Sequence, residues 1–408
     1  LDEKRGLDGA DRSDRTCRIG VRSNILCRSI VDEHRLYHMN IAFIISSLGT
    51  GGAERVAQVL CNQWANRGHG VHLVTFEAPG TPSIYPLESA ITRHQLDLLR
   101  ESAGIIDSLA RNVHRIRSIR RTLGEIEPDV AVAFATETNI LAILASVGRP
   151  WPVVISERIH PGHHRIGRPY SILRTFTYPF AEDVVVQTKE IASWMKEHVG
   201  IHARIVPNPV DPRRFARRGT ARSHDCADVK RLVAVGRLDP QKGFDVLLDA
   251  FARIADKHSS WTLTIFGEGP ERAALQDQAA RLGIAERVSF PGRVDDIPAK
   301  LAETDLFVHS ARYEGYPNVV IEALAAECCV VATDCPGGTR ELLRDGRYGI
   351  LVPPDDRDHL AQALGRLMAD EAERVRLAGE APKAVAGLSH EHIADQWLQL
   401  FEAHRAAC

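Results

Sequence analysis

The chain lacks most of what marks several large classes of protein. Across 408 residues, 51 Lys and Arg stand against 53 Asp and Glu, a formal net charge of −2. Nucleic-acid binding usually shows as a basic excess, and this balance offers no global case for it. No apolar run approaches the roughly 18 residues that a membrane span requires. No signal peptide is visible, because residues 1–38 are charged throughout. The eight cysteines (Cys17, Cys27, Cys61, Cys226, Cys328, Cys329, Cys335 and Cys408) form no C-x-x-C pair. A zinc site therefore has no spacing in its favour, and scattered thiols in a chain of this length read as reduced and cytosolic.

What is present is ordinary globular composition, 44% hydrophobic and 25% charged. At roughly 150 residues per domain the length predicts two or three domains. The first convincing strand begins beside Met39. We expect Met39 to be the natural start and residues 1–38 to be an upstream or disordered extension.

From there, short apolar runs alternate with glycine turns and helical stretches. "NIAFIISS" (40–47) is followed by "LGTGGAERVAQVLCNQWANRG", a loop feeding a helix, and then by a strand from Val71 to Phe76. This is the β-α-β signature of a parallel sheet. Further strands are predicted at 129–135, 152–157, 182–188 and 203–211. The prolines of "PNPVDP", and an aperiodic stretch after them, mark a domain boundary. A second series then runs through 231–236, 261–267, 288–292, 306–310 and 329–334, and the chain closes on a helix at about 390–406. The expected architecture is α/β, with two doubly wound domains in tandem. Ligands of such sheets bind outside the carboxyl ends of the strands, which makes the cleft between the domains the default active site.

Two stretches carry chemistry. In "VGRLDPQKG" (235–243), Gly236 ends a strand, and Arg237 and Lys242 lie in the loop that opens a helix. Two cations beside a helix N-terminus suit an anion such as a diphosphate, although loop cations are commonly just solvated. In "RYEGYPNVVIEAL" (312–324), Pro317 and Asn318 suit a helix start, Glu314 precedes it, and Glu322 sits about one turn in. The first-turn amides can hold phosphate. A carboxylate only accepts hydrogen bonds, so it suits the vicinal hydroxyls of a sugar or ribose. The plain alternative, acidic residues favoured by the helix dipole, accounts for Glu322 but not for its pairing with "GYPN".

Together these stretches resemble the retaining GT-B glycosyltransferases of family 4. Their E-x7-E pattern is matched by Glu314 and Glu322, and their GR…K element by Gly236, Arg237 and Lys242. The resemblance runs from Met39 to the end and is strongest over 231–354. It implies the GT-B fold, two Rossmann-like domains facing each other across a cleft. Residues 39–212 would form the acceptor-binding domain, 213–389 the nucleotide-sugar domain, and 390–408 a helix crossing back to the first. It further implies that Arg237 and Lys242 bind the donor diphosphate. Glu322 would take the ribose. Glu314 and the backbone amides of Gly315 and Tyr316 would hold the transferred sugar, with Pro317 and Asn318 starting the helix beside it. Gly292 and Arg293 would hold the base through their backbone. No cofactor is implied, and catalysis is expected to be independent of metal.

The loop "LGTGGAERV" imitates a dehydrogenase fingerprint, with Gly49 and Gly51 after a strand and Glu77 ending the next. Glu54, however, occupies the third glycine position. The family resemblance instead places Gly51 and Gly52 at the cleft, where they would let a backbone come close. Glu54 and Arg55 are equally explained as the start of a helix. Glu157, in "VVISERIHP", stands where many members of the family carry histidine, and it is expected in the cleft, accepting from a sugar hydroxyl or supporting the acceptor. "ISE", "GGAER", "GRLD" and "TYPFAEDVVV" are similar to enzymes that extend polyprenyl-diphosphate oligosaccharides. His160, His163 and His164 could suggest a metal, but they read as solvated loop residues.

"LARNVHRIRSIRRTLG" (109–124) carries five arginines and no acid. A helical wheel puts Leu109, Val113, Ile116, Ile119 and Leu123 on one face, and Arg111, Arg115, Arg117 and Arg121 opposite. That basic face is expected to meet anionic lipid or a lipid-linked diphosphate, unless it is merely solvated.

The implied reaction is retaining transfer of a hexose or N-acetylhexosamine, with a UDP-sugar favoured as donor. The acceptor would be a polyprenyl-diphosphate-linked saccharide at the cytoplasmic face of the plasma membrane, in envelope polysaccharide or glycan synthesis. The rivals are a GDP-mannose-dependent α-mannosyltransferase acting on a glycolipid, a sugar-nucleotide epimerase of the same shape, and a non-catalytic nucleotide-sugar-binding subunit. The full E-x7-E pattern argues against the epimerase, and the intact cations and carboxylates argue against the silent subunit.

Overall fold

The computed structural model describes residues 38–99, 105–164, 166–215 and 229–405. The expectation of an extension at 1–38 falls, apart from His38, outside the described residues.

Two wholly parallel sheets organise the chain from Asn40 onward. The first contains β1 (Asn40–Ile45), β2 (Gly70–Thr75), β3 (Thr92–Gln95), β4 (Val130–Phe134), β5 (Val153–Ser156), β6 (Asp183–Val186) and β7 (Arg204–Ile205). Their spatial order is β3-β2-β1-β4-β5-β6-β7. The second contains β8 (Lys230–Val235), β9 (Trp261–Phe266), β10 (Val288–Gly292), β11 (Leu306–His309), β12 (Val330–Thr333) and β13 (Ile350–Val352), in the order β10-β9-β8-β11-β12-β13. Counted from its own first strand, the second sheet reads 3-2-1-4-5-6, the doubly wound order, and the first reads the same with a seventh strand added at its far edge. The reversal point, where ligands bind, lies beside β1 in one domain and β8 in the other. The domains thus have the two-Rossmann-like GT-B arrangement.

Parallel strands are covered on both faces, which is why β1 and β4 are apolar at nearly every position. Alternation divides their side chains between two layers. Ala42 and Ile44 of β1 join Ile119, Leu123, Ile140 and Ile143 of the helices on one face. Phe43 turns to the other face, with its ring centroid 4.7 Å from Phe134 and 6.1 Å from Trp64 of the helix Gly52–Asn66. The helix His390–Arg405 completes that layer, setting Trp397 5.7 Å from Phe134 and Phe401 5.5 Å from Trp64. In the second domain, Leu232 and Ala234 of β8 pack with Phe251, Trp261 and Leu364. Among the described residues, no helix is long and apolar enough to cross a membrane.

Several elements depart from the sequence-based expectation: β13 lies outside the predicted strands, and β7 is much shorter than the strand predicted at 203–211. β3 is an edge strand of sequence "TRHQ" with no apolar run to announce it. The arginine-rich helix, Ile105–Ile126, does bury Ile119 and Leu123, but Leu109 and Val113 are exposed. Its expected four-arginine face is also reduced. Arg115 is half-buried and donates to the Leu98 carbonyl at 3.0 Å, and Arg111 pairs with Asp107. The loop at 96–99 lies over that turn of the helix, a contact that a helical wheel cannot contain. Arg117 and Arg121 remain exposed, Arg121 beside Glu125 at 3.3 Å.

Candidate active site between the domains

Three strand ends supply the floor of the second domain's share of the site. Gly236, Gly267 and Gly292 follow or end β8, β9 and β10, linked by Gly236 N–H to the Phe266 carbonyl (3.0 Å) and Gly267 N–H to the Gly292 carbonyl (2.9 Å). Gly292 has φ +88°. A Cβ on Gly267 would collide with the Gly236 carbonyl, so only glycine fits at that strand end. Arg237, just past β8, is 73% exposed, with Asp239 3.6 Å away. Arg293 is likewise open, with Asp295 3.7 Å away.

Gly243, at φ +61°, ends the short turn Pro240–Lys242 and begins the helix Phe244–Ala255. That left-handed residue aims Lys242 back across the strand ends. Its ammonium lies 2.5 Å from Glu314 Oε1, and Ser310 Oγ donates to the Lys242 carbonyl at 2.8 Å. Gln241 is tied to the same segment, donating to the Tyr313 carbonyl at 2.9 Å. The two motifs, 72 positions apart, are therefore one braided structure.

Glu314 is buried, with His309 Nε2 3.3 Å from the oxygen that Lys242 holds. Burial alone would raise its pKa, but the Lys242 ammonium and His309 outweigh that and hold the carboxyl at about 2. Its backbone faces the other domain. His160 N–H donates to the Glu314 carbonyl at 3.1 Å, and Gly315 pairs with Ile159. A side chain on Gly315 would strike the Arg158 carbonyl.

Pro317 caps the helix Asn318–Ala325, one position ahead of its first turn. Asn318 accepts from Asn208 Nδ2 at 2.6 Å and donates to the Gly52 carbonyl at 3.1 Å, and Asn208 also donates to the Tyr316 carbonyl at 3.0 Å. Gly52 leaves room for Asn318, and Gly51 caps its helix in extended backbone. Glu322, one turn in, forms an ion pair with Arg55 of the facing helix. Val56, Val59, Val210 and Ile321 line the same small pocket. Burial pushes the Glu322 carboxyl up, with Arg55 and Arg214 opposing.

Of the residues named from the sequence, Glu314, Gly315, Tyr316, Asn318 and Glu322 meet the first domain, Asn318 at the Gly52 carbonyl, and Lys242 is tied to them through Glu314, while Arg237 and Gly292 lie at the second domain's strand ends. Glu157 does not join them. It is buried within the first domain at 3% exposure, accepting from Tyr178 Oη at 2.5 Å and Thr136 Oγ1 at 2.8 Å, and is therefore turned inward rather than to a cleft. His160 is also not solvated. It is buried beside His163 and Trp194, and burial together with His163 lowers its pKa to about 4. His163 and His164 are exposed. Sequence alone does not announce Asn208 or His309, and it leaves Arg55 open between a cleft residue and the start of a helix. "PNP", an asparagine held between two prolines next to a domain boundary, was the available signal for Asn208.

Residues 50–214 match the family described as Glycosyltransferase Family 4, and residues 229–370 the family described as Glycosyl transferases group 1. The chain is 30% identical, over 89% of its length and 98% of the relative's, to the "GalNAc-alpha-(1->4)-GalNAc-alpha-(1->3)-diNAcBac-PP-undecaprenol alpha-1,4-N-acetyl-D-galactosaminyltransferase" of Campylobacter jejuni. It is 29% identical to the lipopolysaccharide core biosynthesis glycosyltransferase LpsE of Rhizobium meliloti, over 86% of this chain and 95% of that one. Among solved structures it resembles a sucrose-phosphate synthase from Thermosynechococcus elongatus, with TM-score 0.80, 20% identity, and coverage of 90% of this chain and 99% of that one. It also resembles Anabaena HepE in complex with UDP-glucose, with TM-score 0.73, 21% identity, and coverage of 90% and 100%.

Proposed function

The chain belongs to the GT-B glycosyltransferases of family 4, and on that premise we propose that it moves a hexose or N-acetylhexosamine from a UDP-sugar to a polyprenyl-diphosphate-linked saccharide, with retention of anomeric configuration, in the synthesis of an envelope polysaccharide or glycan. The observation that carries the reading is the braid of Lys242 with Glu314 and the placement of Glu322 one turn into the adjacent helix. The Campylobacter relative, named for an undecaprenol-diphosphate acceptor, favours the lipid-linked substrate.

In this reading Arg237, Lys242 and the first amides of the Asn318–Ala325 helix meet the diphosphate, Glu322 meets the ribose, and Glu314 with Gly315 and Tyr316 meets the transferred sugar. The glycosidic C1–O bond breaks, and its electron pair leaves on the diphosphate, where the two cations and the amides stabilise it. The acceptor hydroxyl oxygen bonds to C1 on the same face, and its proton goes to the departing phosphate oxygen. Those cations do the work a divalent ion would otherwise do, so activity should survive excess EDTA. Arg117 and Arg121 would face anionic lipid on the cytoplasmic side of the membrane.

The test is transfer from a panel of UDP- and GDP-sugars to a lipid-linked saccharide, with the new linkage read by NMR. An α-linked product from a UDP-sugar is expected. Transfer from GDP-mannose alone, or a β-linked product, would overturn the donor or the stereochemistry.

A further inference from the structure

The helix Arg168–Thr177 has two unlike sides. Its inner side is fixed: Arg174 is buried with its guanidinium carbon 4.9 Å from the Trp194 ring centroid, Thr177 is buried, and Tyr178 just beyond is fully enclosed. Its outer side is apolar and open. Phe176 is 69% exposed, Ile172 58%, and Phe180, in the short turn that follows, 78%. Leu173 is exposed beside them. The anchored inner side holds these side chains outward, where no part of the described chain covers them. The stretch 166–181 contains no Asp or Glu.

The neighbouring helix Ile105–Ile126 continues the pattern. Asn112 Nδ2 reaches Tyr170 Oη at 3.4 Å, and the same helix exposes Leu109 and Val113. It carries Arg111, Arg115, Arg117, Arg120 and Arg121 against Asp107 and Glu125, so five minus two leaves a formal charge of +3. A cluster of exposed aromatic and aliphatic side chains flanked by arginines matches a helix that lies in a membrane interface. A second copy of the chain would bring basic surface against basic surface, which disfavours self-association there.

We propose that Ile172, Phe176 and Phe180 form an apolar wedge that enters the headgroup region of an anionic bilayer. The proposal rests on the lipid-linked acceptor reading only for its purpose, and its geometry stands apart from the donor site.

The experiment is sedimentation of the full chain with vesicles of phosphatidylcholine alone or mixed equally with phosphatidylglycerol. Wild type is expected to partition onto the anionic vesicles, and Phe176→Ser/Phe180→Ser to lose at least tenfold in partitioning. Val375→Ser, which removes an exposed apolar side chain elsewhere, should match wild type. Amide exchange over 168–181 should slow on adding anionic vesicles. Equal partitioning of the double variant, no binding by wild type, or a wild-type dimer that the double variant dissolves would each overturn the proposal. Transfer to a detergent-solubilised lipid-linked saccharide separates the two readings. If both hold, the double variant keeps that activity. If wild type lacks it while still binding vesicles through the wedge, only the functional reading fails.

Discussion

Arg55 and Glu322, 267 positions apart, form an ion pair that joins the first helix of one domain to the helix of the other that carries the second glutamate of the E-x7-E spacing. Glu322 is nearly inaccessible while Arg55 is about a quarter exposed, so the pair is neither a surface pair nor a fully desolvated one. The carboxylate that takes the Arg55 guanidinium is also the group proposed to meet the ribose. A double-mutant cycle of Arg55→Met and Glu322→Gln in urea unfolding is expected to give a coupling of about 1–3 kcal/mol. Additive effects would mean that the pair contributes nothing to holding the domains.

Arg237 is the opposite case. It is largely exposed, and the separation from Asp239 is loose. Arg237→Ala should leave unfolding free energy within about 0.5 kcal/mol of wild type. Turnover should fall by roughly 100- to 1,000-fold if the guanidinium stabilises the leaving diphosphate. Undiminished turnover would remove Arg237 from the mechanism.

The Lys242–Glu314 contact makes a prediction about acid. The folded carboxyl, at about 2, lies below its ordinary value of 4.5. A depressed carboxyl contributes stability that is fully present above pH 4.5 and is lost as pH falls toward 2. The contribution is on the order of 3 kcal/mol. Glu314→Gln should therefore be clearly less stable than wild type at pH 6, with the gap narrowing as pH falls through that window. Unfolding free energies of both proteins at several pH values would show it, and a gap independent of pH would contradict it.

Gly243→Ala tests the turn that aims Lys242. The residue is left-handed, and a Cβ would collide with the Ser310 carbonyl, a backbone atom that no rotamer change can move. A loss of about 2 kcal/mol or more is expected from strain and collision together. Donor affinity should weaken as well, because the Lys242 carbonyl is fixed by Ser310. A stable, fully active Gly243→Ala protein would show that the turn does not position the lysine.

The sequence made the doubly wound domains legible because buried parallel strands such as "NIAFII" and "VAVAF" are apolar at nearly every position. It concealed "TRHQ", since an edge strand needs no apolar run. The GR…K and E-x7-E residues were legible through spacing, and the structure joins Lys242 to Glu314 and sets Glu322 one turn into the adjacent helix. Glu157 was misplaced because the hydroxyls that hold it, on Thr136 and Tyr178, are each 21 positions away and turn it inward. Arg55 was underestimated because its partner lies in the other domain, and no periodicity within one helix reports a contact across a cleft.

The most direct measurement is calorimetric titration of UDP, GDP and ADP into wild type and Glu322→Ala. Selective binding of UDP, weakened about 10- to 100-fold in the variant through loss of charged hydrogen bonds to the ribose, is the predicted result. GDP-selective binding, or UDP binding that Glu322→Ala leaves unchanged, would contradict the account.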